Sequence, residues 1–101
     1  MPDFKPGRLA FSRAGHDKDT VYIVVREEDP YLFLSDGRLK PLDGPKKKKK
    51  MHLQIGPETA LCDLFAAGET VRDEDIRRVI KAEKSRMAGQ RTRDDIDYQE
   101  D

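Results

Sequence analysis

Two apolar runs flanking a polar loop, in GRLAFSRAGHDKDTVYIVV from Gly7 to Val25, constrain this chain more than any other stretch. Leu9 and Phe11 alternate with Arg8, Ala10 and Ser12, a period of two that sets the large apolar groups on one face of a strand. From Val21 to Val25 the chain is apolar without a break and rich in β-branched residues, which suits a strand covered on both faces, with Tyr22 opposite Val21 and Ile23. The intervening loop carries Gly15 and several residues that favour turns. A β-hairpin is the expected outcome.

The chain continues in the same manner. Arg26 to Pro30 has the composition of a surface turn, and Tyr31 to Ser35 predicts a third strand whose aromatic residues Tyr31 and Phe33 belong at least in part to the core. Asp36-Gly37 is a hairpin signal that leads to a short fourth strand around Arg38 to Leu42, closed by Asp43-Gly44-Pro45. Five lysines follow, Lys46 to Lys50, and then a fifth strand within Met51 to Ile55. Five short strands in about half of the chain predict a small, strongly curved antiparallel barrel of the SH3-like kind, because curling shelters the sheet's edges. The helical turn that often joins the last two strands of such a barrel falls on the lysines.

After Gly56-Pro57 the apolar period changes. Leu61, Leu64 and Phe65 recur at helical spacing, with Pro57 placed for a first helical position and Gly68 for a stop, so a helix is expected from about Glu58 to Ala67. A second short helix starts near Thr70, with acidic residues at 73–75 in its first turn and a stripe of Ile76, Val79, Ile80 and Met87. Asp73 with Arg77 and Glu74 with Arg78 stand at i,i+4 spacing, and the cations Lys81, Lys84 and Arg86 read as a solvated face, with contact to RNA or a partner as the sharper option. The expected organisation is a barrel over 1–56, a helical extension over 57–89 and a disordered acidic tail over 90–101. The fold class is mainly β with an α extension.

The first hairpin resembles the KOW motif of RNA-associated proteins: Gly7 before a strand, Gly15 and Lys18 in the following loop, then a valine-rich strand. Asp19 stands where that family usually has a second glycine. The likeness covers about the first half of the chain and is closest to small bacterial KOW-domain RNA-binding proteins, themselves similar to KOW-bearing large-subunit ribosomal proteins. It implies an RNA-binding, ribosome-associated protein of translation, with Arg13, His16 and Lys18 of the loop against the RNA backbone. Ribosomal RNA, of the large subunit, is the partner implied.

Charged residues make up 40% of the chain with no formal net charge, so any attraction to a polyanion must come from distribution. Residues 1–55 hold 12 Lys and Arg against 8 Asp and Glu, and residues 56–101 hold 8 against 12, so the front is basic and the rear acidic. Lys46, Lys47, Lys48, Lys49 and Lys50 form the densest cationic run, with Arg38 and Lys40 near in sequence, and phosphates would relieve their mutual repulsion. Together these residues predict electrostatic docking on structured RNA, and Tyr31 and Phe33, with the core as their expected place, could stack on bases if exposed. A protein-protein interaction module with an SH3-like barrel is the alternative, and the C-terminal helices or the acidic rear could take a protein partner.

No phosphate-binding glycine loop, nucleophile with a matched base or His-Cys cluster is apparent, so no enzyme, metal or cofactor is expected. The lone cysteine, Cys62, lies in an apolar run and reads as a buried hydrophobe. No apolar stretch has the roughly 20 residues a membrane span requires, and the expected location is the cytoplasm.

Overall fold

The computed structural model describes residues 4–13, 15 and 20–99, with side chains as far as Met87. Its strands are β1 (Leu9–Ser12), β2 (Val21–Glu28), β3 (Tyr31–Ser35), β4 (Lys46–Lys49) and β5 (Leu53–Ile55). They form an antiparallel sheet in the order β4-β3-β2-β1-β5. A single turn of 3-10 helix, Lys50–His52, joins β4 to β5. Two helices follow, α1 (Ala60–Ala66) and α2 (Asp73–Gln99).

The sheet is rolled. Leu32 and Leu34 of β3 share one core with Ala10 of β1 and with Tyr22 and Val24 of β2, and Leu53 and Ile55 of β5 pack against that same core. In a flat sheet β4 and β1, three places apart, would lie roughly 14 Å from each other. Here Lys48 Nζ of β4 donates to Ser12 Oγ of β1 at 2.8 Å. No ladder joins β4 to β5 among the described residues, so the barrel is left open between them.

The valine-rich strand is buried on both faces, as its unbroken apolar run predicts. Tyr22 and Val24 face the interior of the roll, whereas Val21 and Ile23 join Leu9, Leu61, Ile76 and Ile80 in a second core between the sheet's convex face and the helices. Leu9, Ile23 and Ile76 are at most 2% exposed, and burial of such a side chain contributes about 1.5–3 kcal/mol. Cys62 is 4% exposed, a small hydrophobe in the packed face of α1.

Several elements depart from the sequence reading. Arg26 to Glu28 belong to β2 and not to a turn, because Phe33, Leu32 and Tyr31 pair with them and only Asp29-Pro30 is left to reverse the chain; the peptide between these two is cis. Residues 38–42 form no strand. Asp36 Oδ1 accepts the amides of Arg38 (2.8 Å) and Lys40 (2.9 Å), and Asp73 Oδ1 of α2 accepts that of Leu42 (2.8 Å), so two carboxylates satisfy the groups a ladder would have used. The lysines themselves become the fourth strand, paired from Leu34↔Lys46 to Tyr31↔Lys49, and the helical turn comes just after. Lysine suits an outermost strand because its aliphatic stem covers apolar surface while its ammonium stays wet.

At the helices, Pro57 lies outside α1, and Thr59 caps it by accepting the Leu61 amide at 3.1 Å. The start near Thr70 moves to Asp73, where Asp75 Oδ2 accepts the Arg72 amide at 3.0 Å. The expected i,i+4 pairs give way to other partners: Arg77 donates to the Gly37 carbonyl at 2.6 Å, and Arg78 meets Asp75 at 3.3 Å. With 27 residues α2 is not short, and its backbone stays helical over 90–99, where the sequence predicts a tail. A glycine inside a helix, here Gly89, costs only about 1 kcal/mol, and no proline follows it to end the helix.

Candidate nucleic-acid interface

The convex face of the sheet is only half covered. The helices lie over β1 and the first part of β2, and the remainder, built from the end of β2, β3 and β4, carries Arg26, Tyr31, Phe33, Lys47 and Lys49. Period two in β3 explains the aromatics: Leu32 and Leu34 are wholly buried inside, which sends Tyr31 and Phe33 outward, each partly exposed. These two rings, expected at least in part in the core, are partly buried and lie on the side of the sheet away from Leu32 and Leu34.

Arg26 reaches this face through an irregularity. The register between β2 and β3 shifts after Val24, leaving Val25 as the extra residue of a bulge and Arg26 opposite Phe33. With strict alternation Arg26 would point inward beside Val24. Its guanidinium instead lies 3.9 Å from the Phe33 ring centroid and Lys47 Nζ lies 4.4 Å from that of Tyr31, while Glu28 Oε2 accepts from Arg26 Nε at 2.7 Å. Each cation over a ring at an exposed site contributes about 0.5–1 kcal/mol. Rings and cations alternate on a single surface.

The strand divides the lysine run. Lys47 and Lys49 are exposed on the convex face, and Lys46 and Lys48 are half-buried on the concave side with Leu34 and Leu32. Lys50, in the 3-10 turn, donates to Glu27 and to Asp29 (2.7 Å) and lies 4.5 Å from the Phe4 ring centroid. Hydrogen bonding to Asp29 and then to Glu27 holds its pKa above the usual lysine value. Five neighbours in sequence thus occupy three surroundings.

No protein-family model matches this chain, and no curated protein matches it.

The other residues singled out in the sequence are spread around these two faces. Arg13 leaves the end of β1, its amide bonded to the His52 carbonyl (2.9 Å) and its Nη1 to Gln54 Oε1 (3.2 Å). His16 and Lys18 lie outside the described residues. Arg38 and Lys40 are exposed in the turn after β3, with their amides fixed on Asp36. Arg38 does not join the lysines. It borders a cleft of about 470 Å³ against α2, together with Arg77, Lys81 and Lys84.

Sequence reasoning missed Arg26 and preferred the core for Tyr31 and Phe33, which are partly exposed. Alternation with Leu32 and Leu34 is a signal that could have placed the rings outside. Arg26 had no such signal, because a bulge is set by how two strands meet.

Proposed function

We propose that the protein is a non-enzymatic RNA-binding protein of the cytoplasm that docks on structured RNA, ribosomal RNA foremost, as the KOW-like hairpin implies. The observation that carries this reading is the uncovered part of the convex face, where Arg26, Phe33, Lys47 and Tyr31 interleave cations with partly exposed rings. Bases are apolar on their faces and flanked by phosphates, and an aromatic surface set among ammonium groups complements both. Stacking of one base on such a ring contributes about 1–3 kcal/mol without depending on which base it is. Lys47 and Lys49 would meet phosphates beside the stacked bases, and Arg13 with the 14–19 loop would add contacts to the sugar-phosphate backbone.

Among the described residues no helix is long and apolar enough to cross a membrane. The test is sedimentation of the tagged protein in native cell extract beside the variant Lys47→Gln/Lys49→Gln, with filter binding to purified ribosomal RNA across a salt series. Co-migration with a ribosomal subunit, lost in the variant, is expected. The slope of log affinity against log salt should flatten by about 1.4 to 1.8, from two phosphate contacts at 0.7 to 0.9 each. Migration unaffected by both salt and the lysines would defeat this reading in favour of a protein-binding barrel.

A further inference from the structure

Lys81 and Lys84 are exposed, as a solvated helix face requires, and that face borders a cleft against the sheet. Together with Arg38 and Arg77 they border the 470 Å³ cleft that lies between the Asp36–Arg38 turn and α2. Its other borders are chemically mixed: Val21 and Ile80, both almost wholly buried, give an apolar floor, and Thr20 and Ser85 give hydroxyls. Among the described residues Asp36 is the one acidic residue lining it, and that carboxylate's Oδ1 accepts the Arg38 and Lys40 amides. Among the described residues Arg38, Lys81 and Lys84 have no ion-pair partner. Arg77 has one nitrogen on the Gly37 carbonyl and further N–H groups to give.

Four cations and one carboxylate border this concave site among the described residues, a balance that selects an anion, and phosphate is the anion of the ligand already argued for. Position strengthens this. The cleft opens at the end of β3, on the same sheet face as Phe33, and Asp36 stands three residues beyond that ring, about 10 Å along the chain. A strand of nucleic acid stacked on Tyr31 and Phe33 and running along β3 reaches the cleft next.

We propose that this cleft holds a phosphodiester stretch of the same RNA strand, a second anchoring site that makes binding depend on RNA length. The inference rests on the RNA-binding reading. Apolar walls keep water from the phosphates on one side, and the three unpaired cations provide the charge. Arg77 fixes the cleft's shape by joining α2 to the turn.

The full chain and three variants, Lys81→Gln/Lys84→Gln, Lys47→Gln/Lys49→Gln and Arg78→Gln, are titrated with oligouridylates of about 4 and about 16 nucleotides, the range of site sizes in such grooves. Arg78 is on the same helix but outside the cleft, and serves as the charge control. All the exchanged side chains are exposed, and circular dichroism checks that each variant folds. The cleft variant should bind the long oligonucleotide about tenfold more weakly and the short one as the parent does, with Arg78→Gln changing either by less than about twofold. A cleft variant that binds the long RNA like the parent, while the β4 variant loses it, overturns the second site and leaves the first standing. Equal losses in the cleft variant and Arg78→Gln overturn it too, since net charge alone would explain them. If the parent binds neither length, the RNA-binding reading fails and this inference with it.

Discussion

Gly37 and Gly68 have nearly the same backbone, with φ of +73° and +74°, in opposite surroundings. A Cβ on Gly68 would meet nothing within 4 Å, whereas one on Gly37 would lie 2.5 Å from the Asp73 carbonyl oxygen and 2.9 Å from Arg77 Cγ. Gly68→Ala should therefore cost only the left-handed conformation, about 1–2 kcal/mol. Gly37→Ala should cost clearly more, since α2 must also back away from the turn, and urea unfolding of the two variants measures the difference. Lys50 is the other residue whose surroundings decide its effect. Its folded pKa is raised by Asp29 and Glu27, so its stabilising contribution is complete below the unfolded lysine pKa of about 10.4 and is lost as pH climbs through the higher folded value. Lys50→Gln should lower the melting temperature at neutral pH and show a smaller further loss at alkaline pH than the parent, as melts across that range would reveal.

Among the elements, strands announced by alternation or by unbroken β-branched residues were legible: β1 and β3 lie where their residues place them, β2 starts where expected and runs three residues further, and Leu61 and Cys62 of α1 are buried. Strand β4 was not legible, since nothing in five lysines predicts a strand until Tyr31 to Leu34 offer them a ladder. The opposite error at 38–42 has the same physical origin. The Asp36-Gly37 hairpin signal led to a strand there, but the carboxylates of Asp36 and Asp73 took the amides first. Of the candidate site, the charge was readable and its division was not. That Lys47 parts from Lys48 follows from the pleat, and that Lys84 borders the same cleft as Arg38 follows from the way α2 packs on the sheet.

At the scale of the whole molecule, the break at Gly56-Pro57 marks a change of secondary structure without separating two cores. Leu9, Val21 and Ile23 on the sheet share their core with Leu61, Ile76 and Ile80 on the helices, and Thr59 Oγ1 donates to the Gly7 carbonyl at 2.7 Å. A fragment ending at residue 56 would expose three apolar side chains that are at most 4% exposed in the full chain, each accounting for about 1.5–3 kcal/mol of burial. Against the 5–15 kcal/mol that holds most domains together, that loss should abolish a cooperative thermal transition in the fragment; a sharp melt would mean that the sheet folds alone. The open side of the roll has a different consequence. A strand without a neighbour invites the same strand of another molecule to pair with it, and the outermost strand here is a row of lysines. Two such rows side by side would set ammonium opposite ammonium at every rung, so the run that attracts phosphate also discourages copies of the protein from stitching themselves together.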